Sequence, residues 1–337
     1  MTAASAQSTV AISGNITLGV GATEFGTASS DLQITRPTGN IQFAGTEDLG
    51  GGLKAGFRVQ TTLGTSAITN FDAAQIESRT LLGDRYNYLT LEGGFGTVLV
   101  GKANTGVKTL MGVADVTGLP ITTGLSASSS AAATAAKGGL LYTTGGDENA
   151  RIIYGDTYSN QVGYQSPTMS GFTVSVGVTP NQSVTTGVGD DGSTKDAYSY
   201  TVTYANGPLT VTGNHTDSQT GTAYKMNTIA ANYDLGVIKL AVAQQGIRLA
   251  TGTNPGNGML FTANVPMGAG SFGLAYGRRT ASAQTGVTFG DDVKQTTFGY
   301  KHNLSKRTAV SAVYNQLDRN GTATDIKETH IVIAHTF

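Results

Sequence analysis

From Thr9 to Val20 the chain alternates without a break. Val10, Ile12, Gly14, Ile16, Leu18 and Val20 share one side of an extended segment, and Thr9, Ala11, Ser13, Asn15, Thr17 and Gly19 share the other. A period of two sustained over this length describes a strand, not a helix. The same split recurs at Leu53 to Gln60, Phe172 to Thr179, Ser271 to Gly277 and His330 to Phe337. An ordinary soluble strand has about 5–6 residues. The longer runs here approach the ~9–11 residues with which a tilted strand crosses a bilayer.

The second face of each run carries Ser, Thr, Asn, Gly, Lys and Arg, which suits water better than a packed core. One apolar face, one wet face and long strands predict an all-β, transmembrane antiparallel β-barrel with a polar interior. A β-sandwich or solenoid is the competing architecture, and no fixed repeat marks a solenoid. Seven short turn clusters interrupt the alternation: 46–52, 93–96, 166–171, 206–208, 234–236, 266–270 and 303–307. Seven hairpins, with a first strand at Thr9 and a last ending at Phe337, predict about 16 strands. An even number brings both termini to the short-turn side.

Between these turns lie longer polar stretches, read as eight outer loops. The third, loop 3 at about 102–149, is the longest and includes the Ser/Ala stretch 126–137. A loop of that length is functional or disordered more often than not, and its small residues suit folding into the pore as a gate. Residues 9–337 are therefore expected to form one barrel domain, preceded by a tail at 1–8. Ala4-Ser5-Ala6 has the form of a signal-peptidase site without the charged and apolar regions that precede one. Residues 1–6 thus read as a leader remnant or an ordinary small-residue tail.

Composition agrees with a hollow object. Glycine supplies 47 of 337 residues, charged residues 13% and hydrophobic residues 39%, with a mean hydropathy of -0.08. That is lean for packed cores of this size. No apolar run reaches the ~20 residues of a spanning helix. The absence of cysteine excludes disulfides and thiolate metal sites, and a net charge of -1 disfavours nucleic acid. No metal or cofactor is expected. The four histidines form no H-E-x-x-H, and no G-x-S-x-G elbow or phosphate loop is present. An enzyme is not expected. His335 shares a face with Ile331, Ile333 and Phe337 and is expected at headgroup level.

Several segments resemble the Gram-negative general porin family. They are Gly45-Thr46-Glu47-Asp48-Leu49-Gly50-Gly51-Gly52-Leu53-Lys54-Ala55, Gly93-Gly94-Phe95-Gly96-Thr97-Val98, and Tyr164-Gln165-Ser166-Pro167 leading to Ser170-Gly171-Phe172. Near the end stand Gly299-Tyr300-Lys301-His302-Asn303-Leu304-Ser305-Lys306-Arg307-Thr308 and His335-Thr336-Phe337. The resemblance implies a bacterial outer-membrane homotrimer of sixteen-stranded barrels, each narrowed by its third loop, for passive diffusion of small hydrophilic solutes. It also implies that Phe337 is the signal read by the barrel-assembly machinery, and that loop two, 64–78 with Asp72 and Glu77, latches onto a neighbouring subunit. The family's acidic-Phe-Gly-Gly motif in loop three is missing, so selectivity transfers less readily than fold.

For the pore, Lys54 and Arg58 share the polar parity of their strand. On the next strand Arg85 and Asn87 are expected to face the lumen, with Tyr86 and Tyr88 toward lipid. Lys102 ends the fifth strand and Arg151 lies where the chain re-enters the barrel. These cations, with Asp115 opposite on the loop, are the candidate constriction. One conflict is visible: a lumen-facing Lys102 also turns Val98 and Val100 inward, unless a bulge shifts the parity. Strand-borne cations outnumber acids, giving an expected weak anion preference. The alternative is a substrate-specific channel with a solute site at loop 3. Acidic residues in the loops suit solubility, or bridging through divalent cations to lipopolysaccharide.

Overall fold

The computed structural model describes residues 9–25, 28–29, 32–63, 82–104, 106–119, 152, 158–180, 196–218, 224–249, 256–280, 292–319 and 325–337. Sixteen long strands follow one another: β1 (Thr9–Phe25), β2 (Gln33–Gly50), β3 (Leu53–Thr62), β4 (Tyr86–Gly93), β5 (Gly96–Asn104), β6 (Tyr158–Gln165), β7 (Phe172–Thr179) and β8 (Ala197–Asn206). They continue with β9 (Leu209–Ser218), β10 (Tyr224–Asp234), β11 (Lys239–Leu249), β12 (Asn257–Met267), β13 (Gly270–Thr280), β14 (Val293–Asn303), β15 (Thr308–Arg319) and β16 (Ile326–Thr336). A two-residue strand, Ala28–Ser29, pairs with the end of β1. A reversal between strands falls within each of the seven predicted turns, although at 46–52 the strand runs on to Gly50 and only Gly51 and Gly52 form the turn.

Each strand pairs antiparallel with its successor, and β1 pairs with β16 from Asn15↔Thr336 to Phe25↔Ile326. The sheet therefore closes without an edge, which lipid requires of every backbone amide and carbonyl. The seam runs to the last residue. The Phe337 N–H donates to the Gly14 carbonyl (3.1 Å) and the Gly14 N–H to the Phe337 carbonyl (3.0 Å). The Phe337 ring lies over Gly14, where a Cβ would come within 2.7 Å of it.

The outer face carries the apolar parity. Leu89, Val100 and Val162 stand in one cross-strand row, exposed by 65%, 54% and 48%. Tilted ring pairs, Phe172–Tyr204 and Phe272–Tyr300 at 4.6 and 4.7 Å, mark the short-turn rim, where amphipathic rings suit a lipid–water interface. His335 lies on the exposed face with Ile331 and Ile333, as expected.

The interior departs from a uniformly wet lumen. Beyond β5 the chain forms a helix, α1 (Gly106–Ala114), which the alternation reading did not foresee. Its buried residues Val107, Leu110, Met111 and Ala114 repeat at helical spacing. Leu110, Met111 and Ala114 pack with Ala230, Ala243, Leu260 and Ala275 on the inner wall of β10–β13. Small inner-face residues there make room for the helix. Ile152, where the chain returns, joins the same cluster.

Glycine also makes room at β1. A Cβ on Gly21 would fall 1.9 Å from Nδ1 of His330, a ring buried on the facing strand. The Gly21→Ala variant is expected to lose about 1–3 kcal/mol of stability by overpacking. The double variant Gly21→Ala/His330→Ala should recover most of it. Thermal unfolding of the detergent-solubilised barrel, followed by heat-modified gel mobility, measures both.

Candidate functional site: the interior between helix α1 and strands β2–β4

Register decides which side chains reach the interior. Cross-strand partners share a face, and β3 sets Lys54 opposite Glu92, Arg58 opposite Tyr88 and Gln60 opposite Tyr86. Ala55, Phe57 and Val59 face outward with Leu91, Leu89 and Asn87. Arg58 thus points inward, as its parity predicts. Its Nε donates to Oε1 of Gln42 (2.5 Å), and its guanidinium carbon lies 3.9 Å from the ring centroid of Tyr86. Tyr86 meets Tyr88 edge-on, with centroids 5.8 Å apart. The tyrosines are therefore interior, against expectation, and Asn87 is exposed on the outer face. They serve Arg58: a cation on an aromatic face, with Nε tied down, keeps its planar end presented to the channel.

Arg85 precedes β4 in a bend, where the alternation no longer assigns a face. Its N–H donates to the Gln60 carbonyl (3.2 Å). Its charge acts on Lys108 of α1: burial first, and the Arg85 charge second, hold the Lys108 ammonium below the usual lysine range. The helix therefore carries a largely buried cation within the field of Arg85. Asp115 turns elsewhere, its Oδ1 accepting from the Thr117 N–H (3.0 Å) and hydroxyl (2.7 Å).

Lys102 requires a correction of face. The ladders on both sides of β5 run without a register shift and set Lys102 opposite Asn87 and Asn160, in the outward parity of Val98 and Val100. No bulge intervenes, so the valines keep their place toward lipid and the lysine faces out with them. Lys54 faces inward near the short-turn mouth, between Asp48 and Glu92 in the cross-strand row. Arg151, Asp72 and Glu77 lie outside the described residues, as does the loop from 120 to 150.

The wall holds the helix by its C-terminal carbonyls, which have no partners within the helix. The Thr262 hydroxyl donates to the Ala114 carbonyl (2.6 Å), Nδ2 of Asn232 to the Val113 carbonyl (3.0 Å), and Nδ2 of Asn264 to the Thr117 carbonyl (2.7 Å). At the other end Gly106 lies so close to Thr201 and Asn214 that a Cβ would come within 2.0 and 2.4 Å of their side chains. Past the helix, Leu119 packs with Val313 and Val332. By contrast, Asn40, Gln42 and Arg58 on β2 and β3 are only half-buried. The open side of the interior therefore runs along β2–β4.

A family model described as Gram-negative porin matches residues 2–322. The chain belongs to the Gram-negative porin family. The porin is 28% identical over 333 residues to the outer membrane porin protein 32 of Delftia acidovorans, covering 91% of this chain and 83% of that one. Its fold matches the anion-selective porin from Comamonas acidovorans, with a TM-score of 0.70 at 22% identity, covering 98% and 100% of the two chains. It also matches Salmonella typhi OmpF in complex with daunomycin, with a TM-score of 0.72 at 14% identity over 97% of each chain. The porin resides in the bacterial outer membrane, where its barrel is a channel for passive diffusion of small hydrophilic solutes.

Two residues of this porin's interior escaped the sequence reading. Lys108 was hidden because strand parity stops at Asn104; the 107, 110, 111, 114 spacing was the available signal. Lys301 faces inward opposite Ser271 and Ser311, with its Nζ beside Gly118. Removing the grip on the helix with Asn232→Leu, Thr262→Val and Asn264→Leu together is expected to raise open-channel noise and brief closures. Single-channel recording reads this, while the barrel's unfolding temperature should change little.

Proposed function

We propose that the passage favours anions and that its narrow part lies between Arg58 and Arg85 on the wall and Lys108 on α1. The observation that carries this reading is the inward Arg58, held by Gln42 and Tyr86 on the half-buried side of the interior, with the field of Arg85 reaching Lys108 of α1. Cations gathered along a water-filled interior favour an anion as the passing ion. The wet lumen makes these cations affordable in a membrane protein. The inner acids Asp48 and Glu92 sit at the short-turn mouth beside Lys54, so they do little to cancel the field at mid-depth. The anion selectivity named for the Comamonas porin supports the same sign.

The passage is a channel rather than a catalyst. A homotrimer is the assembly we infer, since an outer membrane protein of Vibrio cholerae with the same fold is described in a trimer form.

A charge about 5 Å from the ion path is worth about 1–3 kcal/mol between bulk-water and protein-surface screening. Reversing one should therefore change selectivity by about fivefold or more. Planar-bilayer reversal potentials in a salt gradient test this. Wild type is expected to favour anions, and Arg58→Glu and Lys108→Glu to lose or invert that preference. Clear cation preference in wild type overturns the reading.

The pH dependence has a definite sign. The Lys108 ammonium is present at low pH and is lost as pH rises, earlier than for an ordinary lysine. Anion preference should therefore fall as pH climbs toward the alkaline range. Lys108→Arg, whose guanidinium stays charged, should abolish that fall.

A further inference from the structure

The inner row of β1–β3 is joined by a chain of side-chain amides whose orientation is fixed at one end. A guanidinium can only donate, so Gln42, the amide beside Arg58, must turn its oxygen to the Arg58 Nε–H (2.5 Å). The same oxygen accepts from Nε2 of Gln60, directly across the ladder (3.0 Å). The Gln60 amide gives its second N–H to Oδ1 of Asn40 (3.1 Å). Asn40 in turn donates through Nδ2 to Oδ1 of Asn15, its partner on β1. Each amide is thus set by the one before it, starting from the cation.

The orientation decides what is left over. A carboxamide has one oxygen and two N–H groups. On Gln42 the oxygen is used twice, and among the described residues its NH2 takes part in no hydrogen bond. Gln42 is half-buried on the open side of the interior, so this NH2 meets water. Gln60, whose NH2 is spent, is buried at 7% exposure, so the passage sees little of its oxygen.

The opposite wall carries an amide network of the reverse sense. There the end is Glu328, whose carboxylate only accepts: Nδ2 of Asn315 donates to its Oε2 (3.2 Å). The Asn315 oxygen then accepts from Nε2 of Gln295 (2.6 Å) and the Thr297 hydroxyl (2.7 Å). What is left over is an acceptor, Oε1 of Gln295, which has no partner. This network is sealed, with Gln295, Thr297, Asn315 and Glu328 all buried. Water therefore meets the network that ends in donors and not the one that ends in acceptors.

We propose that Gln42 is a specificity-determining residue of the passage: by accepting from Arg58 it is held with its NH2 toward the water, and a passing anion meets an uncharged donor beside the guanidinium. Bonds in such a chain polarise one another, so the charge of Arg58 strengthens the donor that its own bond has oriented. Part of the selectivity then comes from a neutral side chain, in a lumen with few charges. The inference rests on the anion preference proposed above and adds the residue that extends the reach of Arg58.

The test uses the full-length porin in planar bilayers, with reversal potentials read in a potassium chloride gradient and folding checked by heat-modified gel mobility. Gln42→Met removes the acceptor and the donor without changing any charge. It should lower the anion-to-cation permeability ratio by about threefold, the worth of one ordinary hydrogen bond. In an Arg58→Met background, where nothing orients the amide, the same substitution should change the ratio by less than about half as much. Gln42→Glu keeps the acceptor for Arg58 and Gln60 but loses the donor, and its ratio should fall below that of Gln42→Met. An unchanged ratio in Gln42→Met or in Gln42→Glu overturns the proposal. Equal fold-changes with and without Arg58 overturn it too, because Gln42 then acts alone. A change of conductance at constant ratio overturns it in favour of pore width. Cation preference in wild type overturns the anion reading and this inference with it, whereas any of the other adverse results in an anion-preferring wild type overturns this inference alone.

Discussion

Closure of the backbone hydrogen-bond ladder is the constraint on which the rest of this porin depends. Lipid offers no partner for a free amide or carbonyl, so a spanning sheet must have no edge. Here β16 returns to β1, and the seam extends through the paired main-chain bonds of Phe337 and Gly14. The seam explains the small residues along β1. Gly14 lies beneath the Phe337 ring, and Gly21 leaves the space that His330 fills. Glycine in a strand weakens it locally, but at a closing seam it permits two facing side chains to be placed where no Cβ fits.

A closed sheet then creates an interior that must be shaped. A barrel of sixteen strands is too wide for its own side chains to fill. This chain uses part of loop three for the purpose: α1 rests on the small inner-face residues of β10–β13 and is tied there by Thr262, Asn232 and Asn264. The same packing leaves β2–β4 facing water. Their inner row is polar and ordered. Nε2 of Gln60 donates to Asn40 (3.1 Å) and to Gln42 (3.0 Å), while Gln42 also holds Arg58. The interior is thus divided into an apolar side that fixes the helix and a polar side that meets solutes.

Strand existence, number and facing were legible wherever the alternation ran unbroken, as with Arg58 inward and His335 outward. Parity failed where an element began or ended. Tyr86 and Tyr88 were placed toward lipid because aromatic rings favour that interface, yet the ladder sets them opposite Gln60 and Arg58 on the inner face, where the Arg58 guanidinium lies over the Tyr86 ring. Lys102 was placed inward because a cation in lipid is costly, yet its neighbours Val98 and Val100 left it no choice without a bulge. Its long aliphatic stem lets the ammonium snorkel along the apolar wall.

What the sequence determined is the barrel itself: a period-two pattern repeated between seven turns specifies strands, their number and a lipid-facing side, because each depends on local spacing. What only the tertiary structure decided is the content of the lumen. The grip of the wall on α1 and the packing of Leu119 against Val313 and Val332 each join segments far apart in the chain. No local pattern encodes them, since they arise from how a closed wall curves and what it encloses.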